Sequence, residues 1–144
     1  INVGASKGFS LLELLIVIAI VAILGAVAAT SLTNYRRQLN LSEAKQLVVN
    51  AIRRSSDDAI RQTRTLTFAV ENSSQRLVWS EGTIEIGRQD LPSGATVAMV
   101  KQDTTRAAQF TGRGMPTQQL TFTVTRGGLT QTFTLLVTGL VAQP

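Results

Sequence analysis

Three patterns of apolar and polar positions follow one another along the chain. From Leu14 to Thr33 there are twenty residues without a charge, which as a helix extend roughly 30 Å, about the thickness of a bilayer's hydrocarbon core. This predicts a membrane span. Beyond residue 34 the pattern becomes amphipathic. Ala44, Leu47, Val48, Ala51, Ile52, Ser55, Ala59 and Ile60 recur at helical spacing, while Glu43, Lys45, Arg53, Arg54, Asp57 and Arg61 fall largely on other faces. A single helix over residues 9–62 is expected, its first half apolar all round and its second half offering one stripe to a soluble domain.

From residue 64 the period drops to two. Arg64 to Val70 alternates, Glu71-Asn72-Ser73-Ser74 reads as a turn, and Gln75 to Ser80, with Leu77 and Trp79, returns as a hairpin partner. Short strands follow at Thr83–Ile86 and Ala95–Lys101. Gln119–Arg126, then Gly127-Gly128, then Leu129–Thr138 predict a hairpin, because paired glycines adopt the positive φ angles of a tight turn. Thr, Val and Phe dominate these runs, which suits pleated sheet with one buried face. The expected fold class is α+β: a long N-terminal helix packed on an antiparallel β-sheet ectodomain.

Composition narrows the chemistry. The chain has 144 residues, no cysteine and no histidine. About 110 residues remain after the span, enough for one modest soluble domain. Zinc sites built on His or Cys, Ser-His-Asp triads, Cys-His pairs and disulfides are all excluded. The nine acidic residues show no convergence toward an acid/base site. The reading is therefore not an enzyme, with no cofactor and no metal.

Glu13 stands out, since a carboxylate at the head of an apolar helix is costly in a membrane and is retained for a partner or a function. Lys7 lies before it, and the next cation is Arg36. The stretch Lys7-Gly8-Phe9-Ser10-Leu11-Leu12-Glu13-Leu14-Leu15 resembles the start of type IV pilins and of the pseudopilins of type II secretion. The resemblance implies a pilin-like fold and a leader, residues 1–8, that a prepilin peptidase removes between Gly8 and Phe9. It also implies N-methylation of Phe9 and a role for Glu13 in meeting the amino terminus of a neighbouring subunit during assembly. A secretory signal fits less well, because its apolar core is shorter, roughly 7 to 15 residues. The organisation expected is then a leader at 1–8, a transmembrane half-helix at 9–33, an amphipathic half-helix at 34–62 and a β-rich periplasmic domain at 63–144. The implied location is the bacterial inner membrane, single-pass, and from there a pilus or pseudopilus. Arg36 and Arg37 after the span, against Lys7 before it, would by charge counting alone favour the opposite orientation. The dedicated leader motif outweighs that count. Many pilins kink this helix with a proline; this chain has none there, so a straighter helix is expected.

The remainder resembles the GspH/FimT group of minor pseudopilins and minor pilins. The resemblance rests on Glu43-Ala44-Lys45-Gln46-Leu47 through Ala59-Ile60-Arg61 to Thr65-Leu66-Thr67-Phe68, and on Phe110 and Gly114 ahead of a closing hairpin that ends in Thr138-Gly139-Leu140-Val141. It implies a low-abundance subunit that initiates or caps a filament, with other pilins or pseudopilins, the prepilin peptidase and the inner membrane as partners.

Charge supplies the alternative. The net charge is +5, about +4 once Lys7 leaves with the leader. From Thr104 onward there are three basic residues, Arg106, Arg113 and Arg126, and no acidic one. Arginines bind phosphates without reading sequence, so these three are candidate contacts for DNA in a minor pilin of natural DNA uptake. The plainer reading gives them to solubility or to acidic neighbours in a filament. Asp57 and Asp58, about 100° apart on a helix, read as solvated surface rather than a cation site. Trp79 reads as sheet packing.

Overall fold

The computed structural model describes residues 9–142. Gly8 and the rest of the expected leader lie outside them. Helix α1 runs Leu11–Gln62, followed by β1 Leu66–Glu71, β2 Arg76–Glu81, β3 Ile84–Asp90, β4 Ala95–Lys101, β5 Gln109–Phe110, β6 Leu120–Arg126, β7 Leu129–Leu135 and β8 Val141–Ala142. By contacts the chain divides into two units, residues 1–36 and 37–144. The amphipathic part of α1 therefore belongs with the strands.

The strands are antiparallel as expected and form two sheets. One has the order β3-β2-β1-β5 and the other β4-β6-β7-β8, and every pairing is antiparallel. β5 takes the second edge of β1, pairing Leu66 with Phe110, while β4 pairs with β6 in the other sheet. The strand expected at Thr83–Ile86 extends to Asp90, because polar Arg88 and Gln89 are tolerated on an edge strand. The last strand of the Gly-Gly hairpin stops at Leu135 rather than Thr138, and a turn at Gly139 (φ 82°) returns the chain as β8.

Within the second unit, α1 meets both sheets. Lys45 lies over the Phe133 ring of β7, 5.9 Å from its centroid, while Arg54 reaches Gln89 of β3 at 3.4 Å. Leu41, Ala44, Val48, Val49, Ala51, Ile52 and Ala59 are buried, as is Ser55, whose hydroxyl donates to the Ile52 carbonyl at 2.8 Å. Ile60, expected on this stripe, is exposed instead. The core between the sheets is a run of aromatic rings. Phe68 on β1 stacks near Trp79 of β2 (6.4 Å) and meets Phe122 of β6 edge-on (6.1 Å), and Phe122 stacks on Phe133 (5.4 Å). Phe68 is thus the ring that joins the two sheets, in the offset and edge-on geometries that aromatic quadrupoles favour.

The C-terminus of α1 closes with paired backbone bonds, Thr63 N–H to Ile60 O (3.0 Å) and Arg64 N–H to Ala59 O (3.1 Å), with Thr63 left-handed at φ 52°. This is the arrangement in which glycine usually occupies the left-handed position. The loop Thr111–Gly114 packs on it so closely that a Cβ on Gly112 would lie 2.8 Å from the Thr63 carbonyl carbon.

Candidate functional site

The amino-terminal end of α1 is built by its own sequence. Ser10 is the cap: its Oγ accepts the Glu13 N–H at 3.2 Å, and its carbonyl accepts the Leu14 N–H at 3.2 Å. Ser10-Leu11-Leu12-Glu13 therefore has the spacing of a capping box, in which Ser and Glu at the first turn offset the orphan N–H groups there. This signal was present in the sequence beside the Glu13 motif and explains why the helix begins at Leu11 rather than at Phe9. Glu13 sits in the first turn, where a carboxylate is favoured by the helix dipole. It is exposed, and among the described residues no cation lies within ion-pair distance of it.

Every residue from Leu11 to Asn40 is exposed, although most are Leu, Ile, Val or Ala. This stretch is long and apolar enough to cross a membrane. Two of its polar groups are met locally: the Thr30 hydroxyl donates to the Val27 carbonyl (2.9 Å) and that of Thr33 to the Ala29 carbonyl (3.0 Å), so neither brings an unmet donor into an apolar setting. Phe9 precedes the helix and is 78% exposed, whereas Phe68, Phe110, Phe122 and Phe133 are all buried in the core. Of the five phenylalanines, Phe9 alone has no place in the domain.

The three candidate DNA-contacting arginines are not brought together. Arg126 at the end of β6 is engaged with α1, donating from Nη1 to the Glu43 carboxylate (2.8 Å) and to the Asn40 carbonyl (2.9 Å), with 18% of its side chain exposed. Arg113 lies in the loop whose Gly114 sits over Ser56 and Ile60. From Glu43 to Ser56 is about 20 Å along the helix axis. Arg106 belongs to a third place, the β4–β5 loop, where it pairs with Asp103 at 3.2 Å. That loop is held by the Lys101 ammonium, which donates to the Thr104 and Arg106 carbonyls, and by buried Gln118, which accepts the Asp103 N–H at 2.7 Å. The Thr105 hydroxyl and N–H both bond to the Asp103 carboxylate and, with Arg106, hold its pKa below the usual carboxylate value. Arg113 is exposed and has no ion-pair partner among the described residues.

Asp58 departs from the expectation of a solvated pair. Its Oδ2 accepts the indole N–H of Trp79 at 2.8 Å, so it is a structural acceptor at the edge of the core, while Asp57 is exposed. The signal that could have found it is the apolar strand bearing the one tryptophan, whose N–H needs an acceptor once buried.

A family model described as the prokaryotic N-terminal methylation motif matches residues 4–29. The fold is similar to that of the type IV minor pilin FimU of Pseudomonas aeruginosa strain PAO1, with a TM-score of 0.59 and 14% identity over 76% of this chain and 92% of that one. It is similar also to the minor pseudopilin EpsH of the Vibrio cholerae type 2 secretion system, with a TM-score of 0.55 and 11% identity over 73% of this chain and 96% of that one. Comparison with curated protein sequences gives no match.

Proposed function

We propose that this chain, whose amino-terminal motif and fold are those of the type IV pilin and type II secretion pseudopilin superfamily, is a minor structural subunit that helps to initiate or cap a pilus or pseudopilus. A prepilin peptidase cuts between Gly8 and Phe9, and the new amino group on Phe9 is methylated. The apolar half of α1 anchors the subunit in the inner membrane with the β-rich domain in the periplasm. In the filament, the same half-helix packs among those of other pilins.

The observation that carries this reading is Glu13: an exposed carboxylate in the first turn of a long apolar helix, with no cation of the described residues within ion-pair distance. A charge there is expensive in lipid unless something outside the helix meets it. The free amino terminus of a neighbouring subunit supplies the opposite charge at the matching depth, so the pairing would hold adjacent subunits in register. Phe9, exposed and outside the core, is free to be the residue presented to the peptidase and the methylating activity.

The test is to express the full chain with Gly8→Leu or Glu13→Leu beside the other subunits of its filament. Gly8→Leu should accumulate as uncut precursor. Glu13→Leu should be cut and membrane-inserted but missing from sheared filaments. Normal maturation of Gly8→Leu would refute the reading.

The alternative, a subunit that holds DNA, draws its support from Arg113, exposed on a loop pinned to the end of α1. Arg126 and Arg106 have acidic partners of their own, and Glu43, the partner of Arg126, lies about 20 Å along α1 from Ser56 beneath the Arg113 loop. Duplex DNA binding by the full chain in detergent, lost in Arg113→Glu and weakened by salt, would favour it.

A further inference from the structure

Beside the second half of α1 lies a groove of about 400 Å³, a volume typical of ligand sites. Its floor is Val49 and Ile52 of α1 with Phe110 and Leu135, and Arg53 and Asp57 stand at its helix side. Its far wall is the turn and edge strand Gly139–Val141. The side chains around that wall are apolar and exposed: Val137 is 51% exposed, Leu140 66% and Val141 37%. Apolar side chains gathered at one concave place mark an interaction site better than the same residues scattered singly.

The backbone of the wall says what kind of partner fits. β8 is the outermost strand of its sheet. The Leu136 N–H donates to the Leu140 carbonyl at 2.9 Å, so Leu140 faces β7. By the two-residue period of a strand, Val141 turns its N–H and C=O the other way, outward from the sheet, at the residue that lines the groove. Among the described residues none hydrogen-bonds to them, so this edge lacks the pairing that would close the sheet. An open donor and acceptor at strand spacing, an apolar floor, and one side chain of each charge sign are together the chemistry of a peptide. A lipid tail would leave the backbone groups and the charges unmet, and a polyanion would meet Asp57 and the apolar floor.

We propose that this groove receives an extended apolar peptide segment of another protein, which adds as a strand to the outer edge of β8 and places alternate side chains on the Val49, Ile52 and Leu135 floor. The mode is strand addition, in which backbone bonds give affinity and the pocket gives selectivity. It is independent of Glu13 and of leader cleavage, so a failure here leaves the filament reading untouched.

The test uses the full chain in detergent and the blocked pentapeptide acetyl-Val-Thr-Val-Thr-Val-amide, with a control N-methylated at alternate residues to remove one row of N–H groups. The amide of Val141 should shift on titration and become protected from hydrogen exchange, with saturation near or below about 1 mM. Affinity should fall about tenfold or more for the N-methylated peptide and for Val141→Pro. That substitution removes an outward N–H and leaves the β7 ladder in place. Leu140→Glu, at an exposed position, should weaken binding by a similar factor through the groove alone. Equal binding of both peptides, no change at Val141, or self-association of the chain through β8 in sedimentation would each overturn the proposal.

Discussion

The indole N–H of Trp79 donates to the Asp58 carboxylate at 2.8 Å, tying the centre of β2 to the last turns of α1. Trp79 is 2% exposed, and Gly87 opposite it on β3 exists to make room, since a Cβ there would come within 2.5 Å of the ring. Removing the acceptor leaves a buried donor without a partner, which costs about 1–3 kcal/mol. Asp58→Ala should therefore lower the unfolding free energy by that amount, and Asp58→Asn, which keeps an acceptor, by clearly less. Denaturant unfolding followed by the emission of this one tryptophan reads both. Equal stability of all three proteins would show that the bond contributes nothing.

Arg126 makes the opposite case, a residue that charge counting assigns to a ligand and the fold assigns to itself. Its bonds to Glu43 and to the Asn40 carbonyl fasten the end of β6 to α1. Arg126→Glu should be destabilising, by about 1 kcal/mol or more, because it removes the pair and sets two carboxylates face to face. Adding Glu43→Arg should recover part of the loss, which a double-mutant cycle in thermal unfolding would measure. Arg113→Glu, on an exposed loop without an ion partner among the described residues, should leave stability unchanged.

The long helix and the closing hairpin were legible because each has a dominant signal: an uncharged run passing into a helical stripe, and a Gly-Gly turn. The Ser10 cap was not read, although Ser10 and Glu13 stand three apart at the head of an apolar run. The separation into two sheets was not, because it depends on two-residue strands. Gln109–Phe110 and Val141–Ala142 are too short to show a period, and the first is placed by a partner far away in the chain, Leu66–Thr67. The same holds for the arginines. Nothing local to Arg126 announces Glu43, 83 residues earlier. In the groove beside β8, the floor comes from a helix stripe whose residues read simply as core.

Asp103 carries the pH prediction. Bonds from Thr105, and the nearby Arg106, depress its folded-state pKa below the ordinary carboxylate value. A depressed carboxylate contributes stability that is present above the unfolded-state pKa and lost as pH falls through the folded-state one. The β4–β5 loop should therefore hold its structure at neutral pH and loosen only at acid pH below about 4. Carboxyl chemical shifts followed through an acid titration should place the Asp103 midpoint below the ordinary aspartate value. In Thr105→Ala, which removes the hydroxyl donor, its midpoint should move back up.

Thr63 closes α1 in a left-handed conformation, φ 52°, that a β-branched residue adopts at a cost and glycine adopts freely. Thr63→Gly should relieve strain of about 1 kcal/mol, partly offset by the greater freedom of glycine in the unfolded chain. The net expectation is a small gain in stability. Gly112, packed against the same residue, should respond in the reverse direction. A Cβ there would lie 2.8 Å from the Thr63 carbonyl carbon and 3.1 Å from the Arg64 nitrogen, backbone atoms that cannot swing aside as a side chain would. Gly112→Ala must push the loop off the helix end, at a cost of about 1–3 kcal/mol. Because Gly114 in this loop accepts the Ser56 hydroxyl at 2.6 Å, the displacement should also break that bond. Thermal unfolding of the two single variants, with hydrogen exchange at Gly114 and Met115, distinguishes strain in the helix cap from crowding in the loop. A destabilised Thr63→Gly beside an unchanged Gly112→Ala would show that neither governs this end of the helix.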